Sequence, residues 1–132
     1  MTIRVHQTSP SASEAAIRGH RVAIDRPVEK GGSDAGPMGG ELFLAAVAGC
    51  FMSNLLAAIK AREADVSDVL TEVIGTPEGT PPRFSGIELN VSADCADPEL
   101  LGKLVAIAER GCIMVNTLRD TLPVSVRIVA RV

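Results

Sequence analysis

The chain has 132 residues, a length that suits one domain, and 46% of them are hydrophobic, which is enough to build a core. Only 2% are aromatic, with no Trp and no Tyr, so bases would find few rings to stack on. The formal net charge of −3 also has the wrong sign for a phosphate-binding surface, and these totals together argue against a nucleic-acid partner.

The N-terminal part of the chain alternates between strand patterns and turn signals. Residues 2–7 place Ile3 and Val5 on one side, which predicts a strand, and the Ser- and Pro-rich residues 8–14 predict a turn. Residues 15–25 predict a second strand or a hairpin. Residues 27–40 are interrupted repeatedly by glycine, which predicts a loop with tight turns.

Residues 41–62 form the clearest predicted helix, and it has almost no polar face. A helix that is apolar all round is normally buried in a core or an interface, and one set of strands cannot easily cover it. We therefore expect a homodimer, in which a second copy covers the other side. Because Gly49, Ser53 and Asn54 interrupt residues 42–59, no stretch reaches the roughly 18 continuous apolar residues of a membrane span. The polar first residues do not form a secretory signal, so we expect a cytoplasmic protein with no membrane partner.

The C-terminal part predicts two strands, two helices and a last strand. Residues 66–74 and 87–93 predict strands, with a Pro- and Gly-rich hairpin loop over residues 75–85. Asp97 followed by Pro98 predicts a helix start, and Gly111 is placed to end that helix. Residues 112–122 predict a short helical turn, and residues 124–132 alternate as a final strand. This order predicts the α+β class and a single domain over residues 1–132.

The three cysteines, Cys50, Cys95 and Cys112, are the main candidates for chemistry. An odd number in a cytoplasmic chain argues against a framework of structural disulfides. Cys50 lies inside the long helix, where it is either a small buried hydrophobe or a reactive thiol. Cys112 follows Gly111 at the start of the next helical turn, where the helix dipole favours a thiolate, although a plain N-cap or core cysteine fits equally. Cys95 lies between two aspartates that disfavour a thiolate, and we expect it to be incidental.

The sequence contains no motif for a metal or a cofactor. The two histidines, His6 and His20, lie on the predicted N-terminal strands, and no pair of ligands has zinc-like spacing. A Walker loop, a dinucleotide-binding glycine motif and a GxSxG elbow are also missing. We therefore expect neither a metal nor a cofactor.

Few charged residues stand near the cysteines in the sequence. Glu41 opens the long helix nine positions before Cys50, which is about 180° around an ideal helix. If both act in one site, Glu41 must therefore serve the Cys50 of a second subunit. A carboxylate in the first turn is, however, favoured by the helix dipole alone, and the nearby cations also suit a solvated surface: Arg18, Arg21, Arg26 and Lys30.

The segments around Cys50 and Cys112 resemble the two cysteine motifs of one protein family. Residues 36–50 read GPMGGELFLAAVAGC, and residues 108–118 read AERGCIMVNTL. Both are similar to segments of the OsmC/Ohr family, which comprises osmotically induced protein C and the organic hydroperoxide resistance proteins. The motifs stand in the family's order and in the expected elements, and the likeness extends from about residue 19 to residue 132.

The resemblance implies an intertwined OsmC-like homodimer, in which two mixed β-sheets wrap around long central helices and two active sites lie at the subunit interface. It also implies a thiol-dependent peroxidase of oxidative stress. In that reaction Cys50 attacks an organic hydroperoxide and becomes a sulfenic acid, Cys112 closes a disulfide, and a dithiol reductant reopens it. The alternative is a non-catalytic or redox-sensing OsmC-like dimer that binds an apolar ligand at its interface.

This sequence departs from the family pattern at three places. Well-characterised hydroperoxidases have Asn-Pro-Glu before the helix, with Glu where this chain has Gly40, whereas Glu41 matches the broader OsmC-like branch. The family's proline after the second cysteine is Ile113 here. The activating arginine is assigned to Arg26, from its place before the glycine loop, with Arg18 as the second choice.

Overall fold

The computed structural model describes residues 1–131, which form two compact units, Met1–Phe43 and Leu44 onward. The first unit holds strands β1 (Arg4–Gln7), β2 (Ser13–Ile17) and β3 (His20–Ile24) and a short 3₁₀ helix over Val28–Lys30. Helix α1 (Gly39–Ala61) starts there and continues into the second unit, which also holds β4 (Ser67–Glu78), β5 (Arg83–Asp94), α2 (Pro98–Gly111), α3 (Ile113–Leu118) and β6 (Val124–Ile128). The prediction of one domain stays a prediction.

The first unit is a three-stranded antiparallel sheet in the order β1-β2-β3. The predicted first strand and the predicted hairpin over residues 15–25 are both confirmed. The hairpin turns at Arg18 and Gly19, where Arg18 takes a left-handed conformation with φ of 54°. The buried residues of this unit are Ala12, Ala15 and Asp25, so a carboxylate lies in its small interior.

The second unit has a mixed sheet in the order β4-β5-β6, in which β4 and β5 are antiparallel and β5 and β6 are parallel. The central strand β5 buries Ile87, Leu89 and Val91 completely or nearly so. The helices complete the core with Val47, Phe51, Leu55 and Ala58 from α1 and with Leu101, Leu104, Val105 and Ala108 from α2. The predicted α+β class with two sheets is therefore confirmed.

The predicted boundaries of α2 are confirmed because the signals at both ends are local. The Asp97 carboxylate accepts the backbone N–H groups of Glu99 and Leu100 at 3.0 and 3.1 Å, as an N-cap should. Pro98 occupies the first turn, where its missing N–H costs no hydrogen bond. Gly111 is the last helical residue.

The predicted loop over residues 75–85 is wrong, because β4 runs on to Glu78 and β5 begins at Arg83. Gly75 lies inside β4. Glycine suits this strand position because a Cβ there would stand 2.7 Å from Cδ2 of Leu44 and 2.9 Å from Cε1 of Phe84. The register shifts at Thr76 and Pro77, which accommodates the proline within the strand. Gly75 therefore allows close packing, and Pro77 lies at a strand irregularity. The turn itself comprises only residues 79–82.

The final strand is shorter than predicted. β6 ends at Ile128, although the Val129 N–H still donates to the carbonyl of Val91 at 2.9 Å. Arg131 leaves the ladder and forms ion pairs with Asp68 and Asp94. Val132, the last residue of the predicted strand, lies outside the described residues.

Helix α1 is apolar but poorly covered by its own chain. Within residues 1–131 it is the one helix whose length and composition would allow it to cross a membrane. Of its most apolar stretch of 18 residues, 28% is buried. Core helices of soluble proteins have the same composition. Opposite its buried residues the helix exposes Ala45, Gly49, Ser53, Leu56 and Ala57. The largest of these, Leu56, is 50% exposed, so this face has room for a closely packed neighbour.

Candidate active site

The structure brings Cys50 and Cys112 together within the second unit. Cys50 lies in α1 and Cys112 lies between α2 and α3, and the two thiols are close enough to interact directly. Both are free, and Cys112 is completely buried whereas Cys50 is half-buried. Their separation of 62 positions in sequence gives no indication of this proximity. The site therefore pairs a half-buried cysteine with a completely buried one beside it.

Asn54 fixes the turn of α1 that carries Cys50. Its side-chain Nδ2 donates to the carbonyl of Cys50 at 2.9 Å, one helical turn away. On either side of Cys50, Val47 and Phe51 are completely buried and anchor the helix in the core. The sequence gives no signal for this role of Asn54, because a polar residue in an apolar helix indicates only an interruption of the apolar stretch.

The Cys112 thiol lies at the N-terminus of α3, as predicted, but its electrostatics differ from the prediction. Burial raises its pKa, and the neighbouring Cys50 thiol raises it further through hydrogen bonding and charge. The backbone N–H groups of Val115 and Met114 act in the opposite direction, without forming a regular capping hydrogen bond. The net pKa is raised, so the argument that the helix dipole favours a Cys112 thiolate is wrong: burial outweighs the dipole.

We expect iodoacetamide to modify Cys112 far more slowly than Cys50 at pH 7.5 in the folded protein. The Cys112 sulfur is inaccessible, and its raised pKa moves its thiolate form to a pH above the usual thiol range. Alkylation of Cys112 should therefore become appreciable only as the pH rises through that raised pKa. Peptide mass spectrometry over a pH series checks this expectation, with urea-unfolded protein as the control in which the difference disappears. Faster labelling of Cys112 would contradict it.

Cys95 lies apart from this pair, between β5 and α2. Its thiol donates to the carbonyl of Asp97 at 3.2 Å and is partly exposed. That contact belongs to the turn that starts α2. The expectation that Cys95 is incidental stays a prediction.

Glu41 has a structural task at the start of α1. Its Oε2 accepts the backbone N–H of Met38 at 2.7 Å, while the Met38 carbonyl accepts the N–H of Leu42 at 3.0 Å. Met38 is thus the N-cap, and Glu41 is the third helical residue that caps it, as in half of a capping box. The structural role of Glu41 at the start of α1 has direct support. Its catalytic role stays a prediction.

Arg26 follows β3 and borders a cavity of about 330 Å³ within the first unit. Its guanidinium is exposed and forms no ion pair with an acidic residue of the described chain. Arg18 lies instead at the tip of the β2–β3 hairpin. Arg26 is therefore the arginine that shares a cavity with the first turn of α1; the other lining residues are Ser11, Ser13, Ile24, Asp25, Met38, Gly39 and Gly40.

The described residues 1–131 contain no group of three or more His, Cys, Asp or Glu side chains placed to hold a metal ion. His6 and His20 lie on β1 and β3 and are exposed. The chemistry that the site itself offers is that of two adjacent thiols.

Comparison with known proteins identifies relatives of this chain. Residues 31–127 match the family model described as OsmC-like protein. Among solved structures, an OsmC-like protein from Mycoplasma pneumoniae has a TM-score of 0.84 at 18% identity, covering 98% of this chain and 95% of that one. No curated protein matches.

Two further solved structures carry names that refer to hydroperoxides. The organic hydroperoxide resistance protein OsmC of Legionella pneumophila has a TM-score of 0.74 at 22% identity, covering 99% of this chain and 96% of that chain. The organic hydroperoxide resistance protein OhrB of Bacillus subtilis has a TM-score of 0.70 at 20% identity, covering 98% of each chain. At these identities the likeness concerns the fold.

Proposed function

The chain belongs to the OsmC-like family, and from that premise we propose that it is a thiol-dependent peroxidase that reduces organic hydroperoxides. The observation that carries the proposal is the pairing of two free thiols, a partly accessible Cys50 with a buried Cys112 beside it. A two-cysteine cycle needs this asymmetry, because one thiol must be accessible to the peroxide. The other must react only with the sulfenic acid that the first one forms. The names of the Legionella and Bacillus proteins point in the same direction.

In the proposed cycle the Cys50 thiolate attacks the terminal oxygen of the hydroperoxide. The S–O bond forms as the O–O bond breaks, so the sulfur loses two electrons and the peroxide leaves as an alcohol after taking up a proton. Cys50 is then a sulfenic acid. The Cys112 sulfur attacks it, a disulfide forms, and water leaves. A dithiol reductant returns both thiols by exchange and becomes the disulfide itself.

The raised pKa of Cys112 fits a resolving cysteine. A thiol that stays protonated at neutral pH does not compete for the peroxide. Its position beside Cys50 compensates for its lower thiolate fraction, since a neighbouring group reacts as if it were highly concentrated. This division of labour supports Cys50 as the peroxidatic thiol.

We assign Arg26 and Glu41 to the activation of Cys50, following the resemblance to the family. A guanidinium stabilises a thiolate, and a carboxylate orients the guanidinium. The exposed, unpaired guanidinium of Arg26 is compatible with this role, and the capping bond of Glu41 occupies one of its two oxygens.

We further propose that the protein works as a homodimer in the cytoplasm. The exposed face of α1 bears small residues and Leu56, a composition that allows a second apolar helix to approach closely. A homodimer would cover this face without a membrane. We propose no cofactor, because thiols alone can carry both halves of the cycle.

Consumption of cumene hydroperoxide by the purified protein with dithiothreitol as reductant tests the proposed function. We expect turnover that continues as long as reductant is supplied and that ends when the thiols are first blocked with N-ethylmaleimide. Hydrogen peroxide serves as the comparison substrate. Consumption no faster than that of the alkylated protein would overturn the peroxidase proposal and favour the non-catalytic or redox-sensing alternative.

A further inference from the structure

The carboxylate of Asp25 is the most heavily bonded polar side chain in the first unit. It lies just after β3 and is 3% exposed. Its Oδ1 accepts the backbone N–H of Arg26 at 2.7 Å, and its Oδ2 accepts those of Ser33 and Ala35 at 3.0 and 3.1 Å. One side chain therefore ties together both ends of the segment 26–35, which begins with the candidate arginine.

The carbonyl group of Arg26 is also held within the segment 26–35. The Arg26 carbonyl accepts the N–H of Asp34 at 3.0 Å. Gly32 is so close that a Cβ would stand 1.9 Å from that carbonyl oxygen, which excludes any side chain there. The peptide groups on both sides of Arg26 are thus held, and the loop admits little rotation at that residue.

The electrostatics agree with a carboxylate that stays ionised. The backbone N–H of Ala35 makes the largest contribution to lowering the pKa of Asp25, and the N–H groups of Arg26 and Ser33 and the Ser11 hydroxyl lower it further. Burial acts in the opposite direction and is outweighed. At neutral pH the carboxylate offers acceptors on both oxygens, and this is what the three N–H groups require.

The loop also returns to the start of α1. The Asp25 N–H donates to the carbonyl of Pro37 at 3.1 Å, directly before the N-cap residue Met38. Asp25, Arg26 and Met38 line the same cavity. The backbone that holds Arg26 is therefore connected to the turn of α1 that holds Glu41.

We propose that Asp25 is a positioning residue of the thiol site, which acts by fixing the backbone of Arg26 and with it the direction in which the Arg26 side chain leaves the loop. The inference rests on the proposed function for the role of Arg26. Asp25 touches no reacting atom in this scheme, and its whole effect on the thiol passes through the arginine.

Because Asp25 accepts three backbone N–H groups, Asp25→Asn is the variant that disturbs these hydrogen bonds with the least change of shape. Asparagine has the same shape but turns one acceptor oxygen into an NH₂ donor. Either orientation of the amide places a donor against a backbone N–H, of Arg26 or of Ser33 and Ala35. Asp34→Asn is the matched control, because Asp34 lies in the same loop, is exposed, and has a φ of 55° that asparagine tolerates well.

The experiment is a double-mutant cycle on the rate of Cys50 alkylation at pH 7, measured in the intact protein by peptide mass spectrometry. We expect Arg26→Ala to lower the rate about tenfold, the effect of losing one close opposite charge. Asp25→Asn should lower it by a similar factor and should have no further effect in the Arg26→Ala background. Asp34→Asn should leave the rate unchanged.

Three results would overturn the inference: an unchanged rate in Asp25→Asn, an equal further loss in the Arg26→Ala background, or an unchanged rate in Arg26→Ala. If Asp25→Asn does not fold, Gly32→Ala disturbs the same backbone without changing a charge, and it should show the same dependence on Arg26. Alkylation needs no peroxide turnover, so the outcome is separate from the peroxide assay. A protein can fail that assay and still show an arginine-dependent thiol.

Discussion

Replacing Cys50 with Ser is expected to lower kcat/KM for cumene hydroperoxide on the order of a thousandfold or more, because serine cannot form the sulfenic acid on which the cycle depends. Cys112→Ser should behave differently. It should still reduce one equivalent of peroxide per site and then stall or slow, since its sulfenic acid has no neighbouring thiol to resolve it. Stopped-flow measurement of the first turnover and steady-state measurement of the following ones separate the two variants.

Cys95→Ser is the matched control for both substitutions, and we expect it to stay within about twofold of wild type. Dimedone, which traps sulfenic acids, should accumulate on Cys50 in Cys112→Ser and much less in wild type. A first turnover that survives in Cys50→Ser but not in Cys112→Ser would reverse the roles. The buried position and raised pKa of Cys112 argue against that outcome.

Leu55→Ala is expected to lower the free energy of unfolding by about 2–5 kcal/mol, the usual cost of truncating a fully buried leucine. Leu55 is completely buried in the core. Its neighbour Leu56 lies about 100° further round α1 and is 50% exposed. The two residues have the same side chain and the same helix, so Leu56→Ala is a closely matched control. Chemical denaturation at one protein concentration measures both variants.

Leu56→Ala should instead affect the association of two chains. If a second copy covers this face, the variant should raise the dimer dissociation constant in sedimentation equilibrium and leave the stability of the separated chain within about 1 kcal/mol of wild type. A wild-type chain that is monomeric at all concentrations would contradict the proposed homodimer. Equal losses of chain stability in both variants would contradict the orientation of α1.

Features that depend on neighbours in sequence are predictable from the sequence. The Asp97–Pro98 start and the Gly111 end of α2 are examples, because each signal is satisfied within a few residues. The α+β class followed from the same local patterns. The extent of β4 did not, since Gly75 serves contacts with Leu44 and Phe84 rather than a turn.

In the candidate site, too, local features are predictable from the sequence and features that depend on distant contacts are not. The motifs around Cys50 and Cys112 predict which thiols take part, and that assignment stays a prediction. They give no information on a pKa, because a pKa depends on burial, which no local pattern reports. The dipole argument for Cys112 therefore failed. The hydrogen bonds of Asp25, which we propose to position Arg26, could not be predicted either, because its partners Ser33 and Ala35 are eight and ten residues away. An aspartate directly before a glycine-rich loop was the available signal.

The burial of Cys112 also determines which oxidative damage the protein can suffer. Irreversible conversion of a cysteine to sulfinic or sulfonic acid requires repeated contact of one sulfur with free oxidant. A sulfur with no exposed surface escapes that contact, so we expect excess peroxide to ruin Cys50 and to spare Cys112. In the proposed cycle, disulfide closure with Cys112 would remove the Cys50 sulfenic acid before a second peroxide arrives. If Cys112 is the resolving thiol, as proposed, its burial would also limit the loss of active protein.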